Sequence, residues 1–222
     1  EFGKTYHKYD DYTENRRMLI LMTGKKSLDL WNSSNEKQSF YSVKGIVEGI
    51  AQRMGVDSHL KYKSIKNSVL SDGLQVFILK QKIGEIGWID SATKKTFGIK
   101  DEVFVADLDW DALFDSLKFS KTMYKELPKT FATRRDFSLV LDTKTTFSEI
   151  EEVAQKVDRK ILRSVGLFDV YEGKNMDDGK KSYAVSFTFQ DDNETLKDKQ
   201  VDAVMASIRK ELESQLGAVL RA

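Results

Sequence analysis

Two periods alternate along the chain, one of about 3.6 residues and one of two, and the order in which they appear outlines the fold. The opening segment "EFGKTYHKYDDYTENRRMLILMTG" reads as the end of a strand, a polar loop and a strand over Arg17 to Met22. "SVKGIVEGIAQRMGV" then places Val43, Ile46, Val47, Ile50 and Met54 on one helical face, with Ser42 as N-cap and Gly55 as a left-handed stop. "LQVFILKQKIGEIGWID" alternates and is interrupted at Gly84 and Gly87, which predicts a strand pair. "EVFVADLDWDALFDSL" predicts a strand that runs into a short helix. This first stretch is expected to be an antiparallel sheet with helices.

The second half is more regular. "RRDFSLVLD" alternates, with Phe137, Leu139 and Leu141 on one side and Asp136, Ser138, Val140 and Asp142 on the other. "TFSEIEEVAQKVDRK" opens with Thr146 and Glu149 at capping-box spacing, and Phe147, Ile150, Ala154 and Val157 form an inward stripe. In "SVGLFDVYEGKNMDDGKKSYAVSFTFQDD", strict alternation sends Phe168 and Val170 one way and Leu167, Asp169 and Tyr171 the other. After the loop, Tyr183, Val185, Phe187 and Phe189 oppose Ser182, Ala184, Ser186 and Thr188. "DKQVDAVMASIRKELESQLG" has Asp198 as N-cap, a stripe of Val201, Val204, Met205, Ile208 and Leu212, and Gly217 as stop; "AVLR" supplies a last short strand.

The order β-α-β-β-α-β is the ferredoxin-like arrangement, in which two helices cover one face of a four-stranded sheet and leave the other open. The chain is therefore expected to be α+β with two domains, residues 1–127 and 128–222, joined in the stretch 119–130 around the single proline, Pro128. A length of 222 residues with 40% hydrophobic and 11% aromatic content favours two moderate cores over one. The first residue is Glu1 rather than Met, and the opening strand fragment reads as part of a longer chain.

Charge and composition narrow the chemistry. With 36 basic and 35 acidic side chains the net charge is +1, so no global field points to nucleic acid or to an anionic membrane, and any RNA contact must be local. Residues 128–222 alone carry 16 basic and 17 acidic side chains, a net of −1; an RNA-binding module of that charge is expected to bind weakly by itself. The absence of cysteine removes disulfides, thiolate metal sites and cysteine nucleophiles. No apolar run reaches the roughly 20 residues of a membrane span, and no basic, apolar leader is visible, so the expected compartment is the cytoplasm.

Candidate chemistry concentrates on the open face of the second domain. Tyr171 there stands beside short hydrogen-bonding side chains, the combination by which four-stranded sheets of this topology read unpaired RNA. A solvated sheet face is the plainer reading of the same polar residues. Elsewhere the signals are weak. Asp107, Asp109 and Asp111 imitate a calcium loop, but Ala112 replaces its glycine and Lys118 stands where the bidentate Glu belongs. His7 and His59 lack ligand spacing. No phosphate-cradling glycine loop is present.

In order and spacing, "TRRDFSLVLD", "VGLFDVYEG", "GKKSYAVSFTF" and "TLKDKQVDAVMASIRKELESQLGAVLR" together resemble the ferredoxin-fold anticodon-binding domain that ends the beta subunit in the bacterial phenylalanyl-tRNA synthetase family. "MLILMTG", "FYSVKGIVEGIAQRMGV", "KIGEIGWI" and "EVFVADLDWDALF" resemble, more loosely, the class II, catalytic-like but non-catalytic module that precedes it. Where the family has Phe-Pro before its Arg-Asp, this chain has Phe131-Ala132, which predicts a less rigid lead into the strand.

The resemblance implies a part of an ATP- and Mg²⁺-dependent ligase that charges phenylalanine tRNA as an α2β2 tetramer. The active site would lie in the alpha subunit, with no cofactor and no catalytic residue in this chain. It implies anticodon contacts from Ser138, Asp169, Tyr171 and Ser182, phosphate contacts from Arg134, Lys180 and Lys181, and neither a membrane nor a DNA partner. Arg135 and Asp136 are equally well read as a structural ion pair. A free-standing RNA-binding protein and a ligand-sensing ferredoxin-like module remain open alternatives.

Overall fold

The computed structural model describes residues 1–8, 11–27, 31, 35–120, 124, 126–173 and 176–221. The chain folds as two compact units, Glu1–Met123 and Tyr124–Ala222.

In the first unit the elements run β1 (Phe2–Lys8), β2 (Tyr12–Thr23), α1 (Phe40–Arg53), β3 (Leu60–Ile65), β4 (Leu70–Ile78), β5 (Gln81–Ile89), α2 (Ser91–Thr96), β6 (Val103–Asp109) and α3 (Trp110–Asp115). The strands form one antiparallel sheet in the order β1-β2-β6-β5-β4-β3. Val43, Val47 and Ala51 of α1 pack against Met18, Ile86, Phe104, Ala106 and Leu108, all buried. The α1 helix starts earlier than its apolar stripe suggests. Its N-cap is Ser39, and Ser42 occupies the third helical position, where its hydroxyl accepts the Ser39 N–H at 3.2 Å as the reciprocal half of a capping box. Gly55 follows the helix in the left-handed region at φ 68°.

The strand break expected at Gly84 and Gly87 falls instead at Leu79 and Lys80, where β4 turns into β5 with Leu79 at φ 55°. Both glycines lie within β5 for a different reason. A side chain at Gly84 would strike the Asp107 carbonyl, and one at Gly87 would lie 2.5 Å from the Asp72 carbonyl. They permit close backbone approach rather than a turn.

The second unit runs β7 (Thr133–Asp142), α4 (Phe147–Val157), β8 (Leu162–Tyr171), β9 (Lys180–Phe189), α5 (Asp198–Leu216) and β10 (Val219–Leu220). Its sheet order is β10-β7-β9-β8, antiparallel at every pairing. Ile150, Val153 and Ala154 of α4 and Val201, Met205, Ile208 and Leu212 of α5 bury one face of the sheet over Leu139, Leu141, Val185, Phe187 and Phe189. The Thr146–Glu149 capping box forms: the Glu149 carboxylate accepts the Thr146 N–H at 2.7 Å and its hydroxyl at 2.8 Å. Lys197, rather than Asp198, is the N-cap position of α5, and Gly217 ends that helix with φ 60°.

One departure from strict alternation decides the character of the open face. Between Leu167 and Asp169 the β8–β9 register slips, so Phe168 and Asp169 together oppose Ala184. That is a β-bulge, and it resets the parity of the strand. Leu167 therefore pairs with Val185 and packs into the core, opposite to the side assigned by simple alternation. Phe168 is turned toward the open face, where its ring meets the guanidinium of Arg134, while Val170 pairs with Tyr183 on the helix side.

Candidate nucleic-acid interface

Three strands converge on the open face. Directly paired residues of an antiparallel sheet share a face. Ser138 on β7, Ala184 on β9 and Asp169 on β8 form one row; Val140, Ser182 and Tyr171 form the next. Four of the predicted contact residues, Ser138, Asp169, Tyr171 and Ser182, thus occupy two adjacent rows, with side chains at i and i+2 separated by about 7 Å along a strand.

Their local environments differ. The Ser138 and Ser182 hydroxyls lie 3.4 Å apart, within weak hydrogen-bond range, and Ser182 is only 6% exposed. Asp169 is exposed; one carboxylate oxygen accepts the Val170 N–H at 3.0 Å. Tyr171 is 40% exposed and lies under neither helix. Its phenol end rests over Gly173, where an added Cβ would come within 2.5 Å of both Cζ and the hydroxyl oxygen. Among the described residues nothing hydrogen-bonds the Tyr171 hydroxyl.

The three basic candidates separate. Arg134 stands on the open face in the row of Thr188, with Nε 2.8 Å from Asp136. Lys180 stands on the same face at the end of β9, opposite Asp142. Lys181 pairs with Leu141, on the helix-covered side, and is 6% exposed. Its ammonium donates to the Thr143 carbonyl at 2.9 Å and sits 4.5 Å from the Tyr183 ring centre. The two neighbouring lysines therefore face opposite ways, as adjacent strand residues must. Arg135 and Asp136 do not pair with each other: Arg135 bonds Asp198 at 2.6 Å and approaches Asp202 at 3.6 Å, tying β7 to the first turn of α5, while Asp136 holds Arg134.

Sequence alternation missed Phe168. It is 54% exposed, and the Arg134 guanidinium carbon lies 4.9 Å from its ring centre. The signal was in the spacing: Val165, Leu167 and Val170 all lie on the helix side of the sheet, the first two packed in the core, and the step of three between the last two is the trace of the bulge.

The open side of the six-stranded sheet differs in chemistry. A shallow cleft there is lined by Arg17, Lys82, Gly84, Glu85, Asp107 and Asp109. Both of its cations are paired: Arg17 Nε lies 3.0 Å from Asp107, and Glu85 is held by Lys82 at 2.6 Å and Asn67 at 3.1 Å. Asp109 caps α3 through the Ala112 N–H at 2.9 Å, and Asp111 bonds Arg16. These aspartates act as a helix cap and ion-pair partners.

Residues 128–221 match the family model described as the ferredoxin-fold anticodon binding domain, and residues 1–110 match that of the phenylalanyl tRNA synthetase beta chain CLM domain. Among curated relatives, the chain is 39% identical over 234 residues to the phenylalanine–tRNA ligase beta subunit of Bacteroides fragilis, covering 100% of this chain and 28% of that protein. The beta subunit of Porphyromonas gingivalis is 39% identical over 212 residues, covering 95% of this chain and 26% of its own length. That of Bacillus licheniformis is 31% identical over 226 residues, covering 100% and 28%. The chain thus spans little more than a quarter of the length of these relatives.

Proposed function

The chain belongs to the phenylalanyl-tRNA synthetase beta-subunit family, and on that premise we propose that its second unit holds the anticodon loop of phenylalanine tRNA during ATP-dependent charging. The observation that carries this reading is the convergence of Ser138, Ser182, Asp169 and Tyr171 on two adjacent rows of an unroofed sheet face. An unpaired base stacks on the Tyr171 ring, an interaction that every base can make. Ser138 and Ser182 can donate or accept at base edges, whereas the Asp169 carboxylate accepts only and so selects an edge that presents N–H groups. Arg134 and Lys180 supply positive charge on the same face. Lys181 is left out of the contact set, because its ammonium is engaged on the helix side.

In this reading the first unit is the class II, catalytic-like module of a beta subunit and performs no chemistry. It supports assembly with an alpha subunit that carries the active site, ATP and Mg²⁺, in an α2β2 enzyme of the cytoplasm. The acidic residues of its open sheet face already serve Arg17, Lys82 and the α3 backbone, which fits a structural role. No helix among the described residues is long and apolar enough to cross a membrane. The near-neutral charge of residues 128–222 makes the remainder of the ligase a necessary contributor to tRNA affinity.

The test is Tyr171→Ala in the complete ligase, co-expressed with its alpha subunit. Losing one base stack is worth about 1–3 kcal/mol, so KM for tRNA should rise about 5- to 150-fold. Phenylalanine-dependent ATP–pyrophosphate exchange, which needs no tRNA, should be unchanged. Equal loss of both activities would overturn the reading.

A further inference from the structure

The bulge in β8 turns a second aromatic ring, Phe168, onto the open face, and Arg134 is held against it. Arg134 starts on β7, in a row two strands away from Phe168, with β9 between them. Its guanidinium crosses that gap to lie 4.9 Å from the Phe168 ring centre, while Asp136 grips Nε at 2.8 Å. The row beneath the crossing is built from small residues. Gly166 opposes Ser186, whose hydroxyl donates to the Gly166 carbonyl at 3.3 Å, and a Cβ on Gly166 would fall 2.9 Å from that hydroxyl.

A guanidinium restrained at one end by a carboxylate and backed by an aromatic ring is a flat, permanently charged surface whose orientation is set before any ligand arrives. Phe168 is 54% exposed, and the Arg134 side chain 55%, so the pair faces solvent rather than filling a core.

We propose that Phe168 and Arg134 form a second stacking subsite, which takes the unpaired RNA base next to the one on Tyr171. The inference rests on the anticodon reading above. The two platforms lie on one strand, with Phe168 in the row of Ala184 and Tyr171 in the row of Ser182, about 7 Å apart along the strand. Neighbouring splayed bases of a loop can therefore reach both. The role of Arg134 changes accordingly. A phosphate contact requires only a positive charge, which Lys would supply, whereas stacking requires the planar group, which Lys lacks.

The experiment compares Tyr171→Ala, Phe168→Leu, Phe168→Trp and Arg134→Lys in the complete alpha–beta ligase, charging a phenylalanine tRNA transcript. Phe168→Leu keeps an apolar side chain but loses the ring face, and should raise KM for tRNA about five-fold or more, with kcat and ATP–pyrophosphate exchange unchanged. Phe168→Trp, which restores a ring face, should recover most of the loss seen in Phe168→Leu, and no recovery would count against a stacking role. Arg134→Lys should show a loss close to that of Phe168→Leu while keeping the parent's dependence on salt concentration. A parent-like Arg134→Lys, or a parent-like Phe168→Leu beside a damaged Tyr171→Ala, overturns the second subsite and leaves the anticodon reading standing. If Tyr171→Ala is silent as well, the anticodon reading itself falls. If KM rises only in variants whose melting temperature drops, the pair is structural and the proposal is overturned.

Discussion

The two sheets of this chain each leave one face without helices, and they treat it in opposite ways. On the six-stranded sheet the cleft side chains are charged and paired, across strands for Arg17 and along β5 for Lys82. Arg17 sits opposite Asp109 and bonds Asp107, and Lys82 bonds the Glu85 that stands opposite Asp107. Such exposed pairs contribute roughly 0.2–1 kcal/mol each, and they leave little unsatisfied capacity for a ligand. On the four-stranded sheet the two rows through Ala184 and Ser182 carry short hydroxyls, the Asp169 carboxylate and two rings, with the Arg134–Asp136 pair to one side, and the Tyr171 hydroxyl has no partner among the described residues. A face whose cations are already paired stabilises the sheet, whereas a face with directional groups left over can read something. The contrast arises from side-chain chemistry, since both surfaces are antiparallel sheet.

The largest effect that tests this contrast is removal of the layer beneath the reading face. Phe187 is fully buried on β9, edge-on to Phe137 at 5.4 Å, on the strand that both β7 and β8 pair with. Phe187→Ala should cost about 3–5 kcal/mol, a large share of a small unit's stability. Urea denaturation followed by hydrogen exchange should show the second unit losing its protection, and tRNA charging should fall with it. Retention of full charging would mean that the open face is not organised by this core.

A smaller effect separates the seat of Tyr171 from the stability of the sheet. Gly173→Ala would place a methyl 2.5 Å from the end of the phenol, and the ring can swing away at little cost because Tyr171 is 40% exposed and lies outside the core. The variant should melt within about 2 °C of the parent, a shift that corresponds to well under 1 kcal/mol for a domain of this size. KM for tRNA should nevertheless rise several-fold through displacement of the platform. Unchanged charging kinetics would show that the contact with Gly173 does not position the ring.

Much of this arrangement was legible in the sequence because it is periodic. The stripes of Ile150 and Ala154 in α4 and of Val201, Met205, Ile208 and Leu212 in α5, the capping pair Thr146 and Glu149, and the stop at Gly217 all follow from spacing that a helix must satisfy. The alternation of β7 and β9 placed Ser138 and Ser182 on one face. What escaped was aperiodic. A bulge inserts one residue without changing composition, so Phe168 was assigned to the wrong side and Leu167 with it. Either Ser39 or Ser42 can serve as a cap by residue type; only the backbone conformation at Ser39 makes it the N-cap. Lys181 looked like an RNA-facing cation because a lysine on a strand is usually solvated, yet its stem is buried and its head reaches the Thr143 carbonyl.

That misplaced lysine supplies the smallest test, on the helix-covered side of the same sheet. The Glu149 carboxyl is held below its ordinary range first by the Thr146 backbone N–H and hydroxyl, and further by the positive charge of Lys181. A carboxylate whose pKa is depressed by folding stabilises the native state above its unfolded pKa, near 4.5, and loses that contribution as pH falls through the lower folded value. Glu149→Gln keeps an acceptor for Thr146 but removes the charge. The parent should therefore exceed the variant in stability by about a few tenths of a kcal/mol at neutral pH, an exposed carboxylate being well screened. The gap should close on acidification below pH 4.5. Denaturation at pH 7 and pH 3 measures it, while KM for tRNA at pH 7 should be the same in both proteins. A pH-independent gap would remove the carboxylate's charge from the account of α4, and a raised KM would return Lys181 to the reading face.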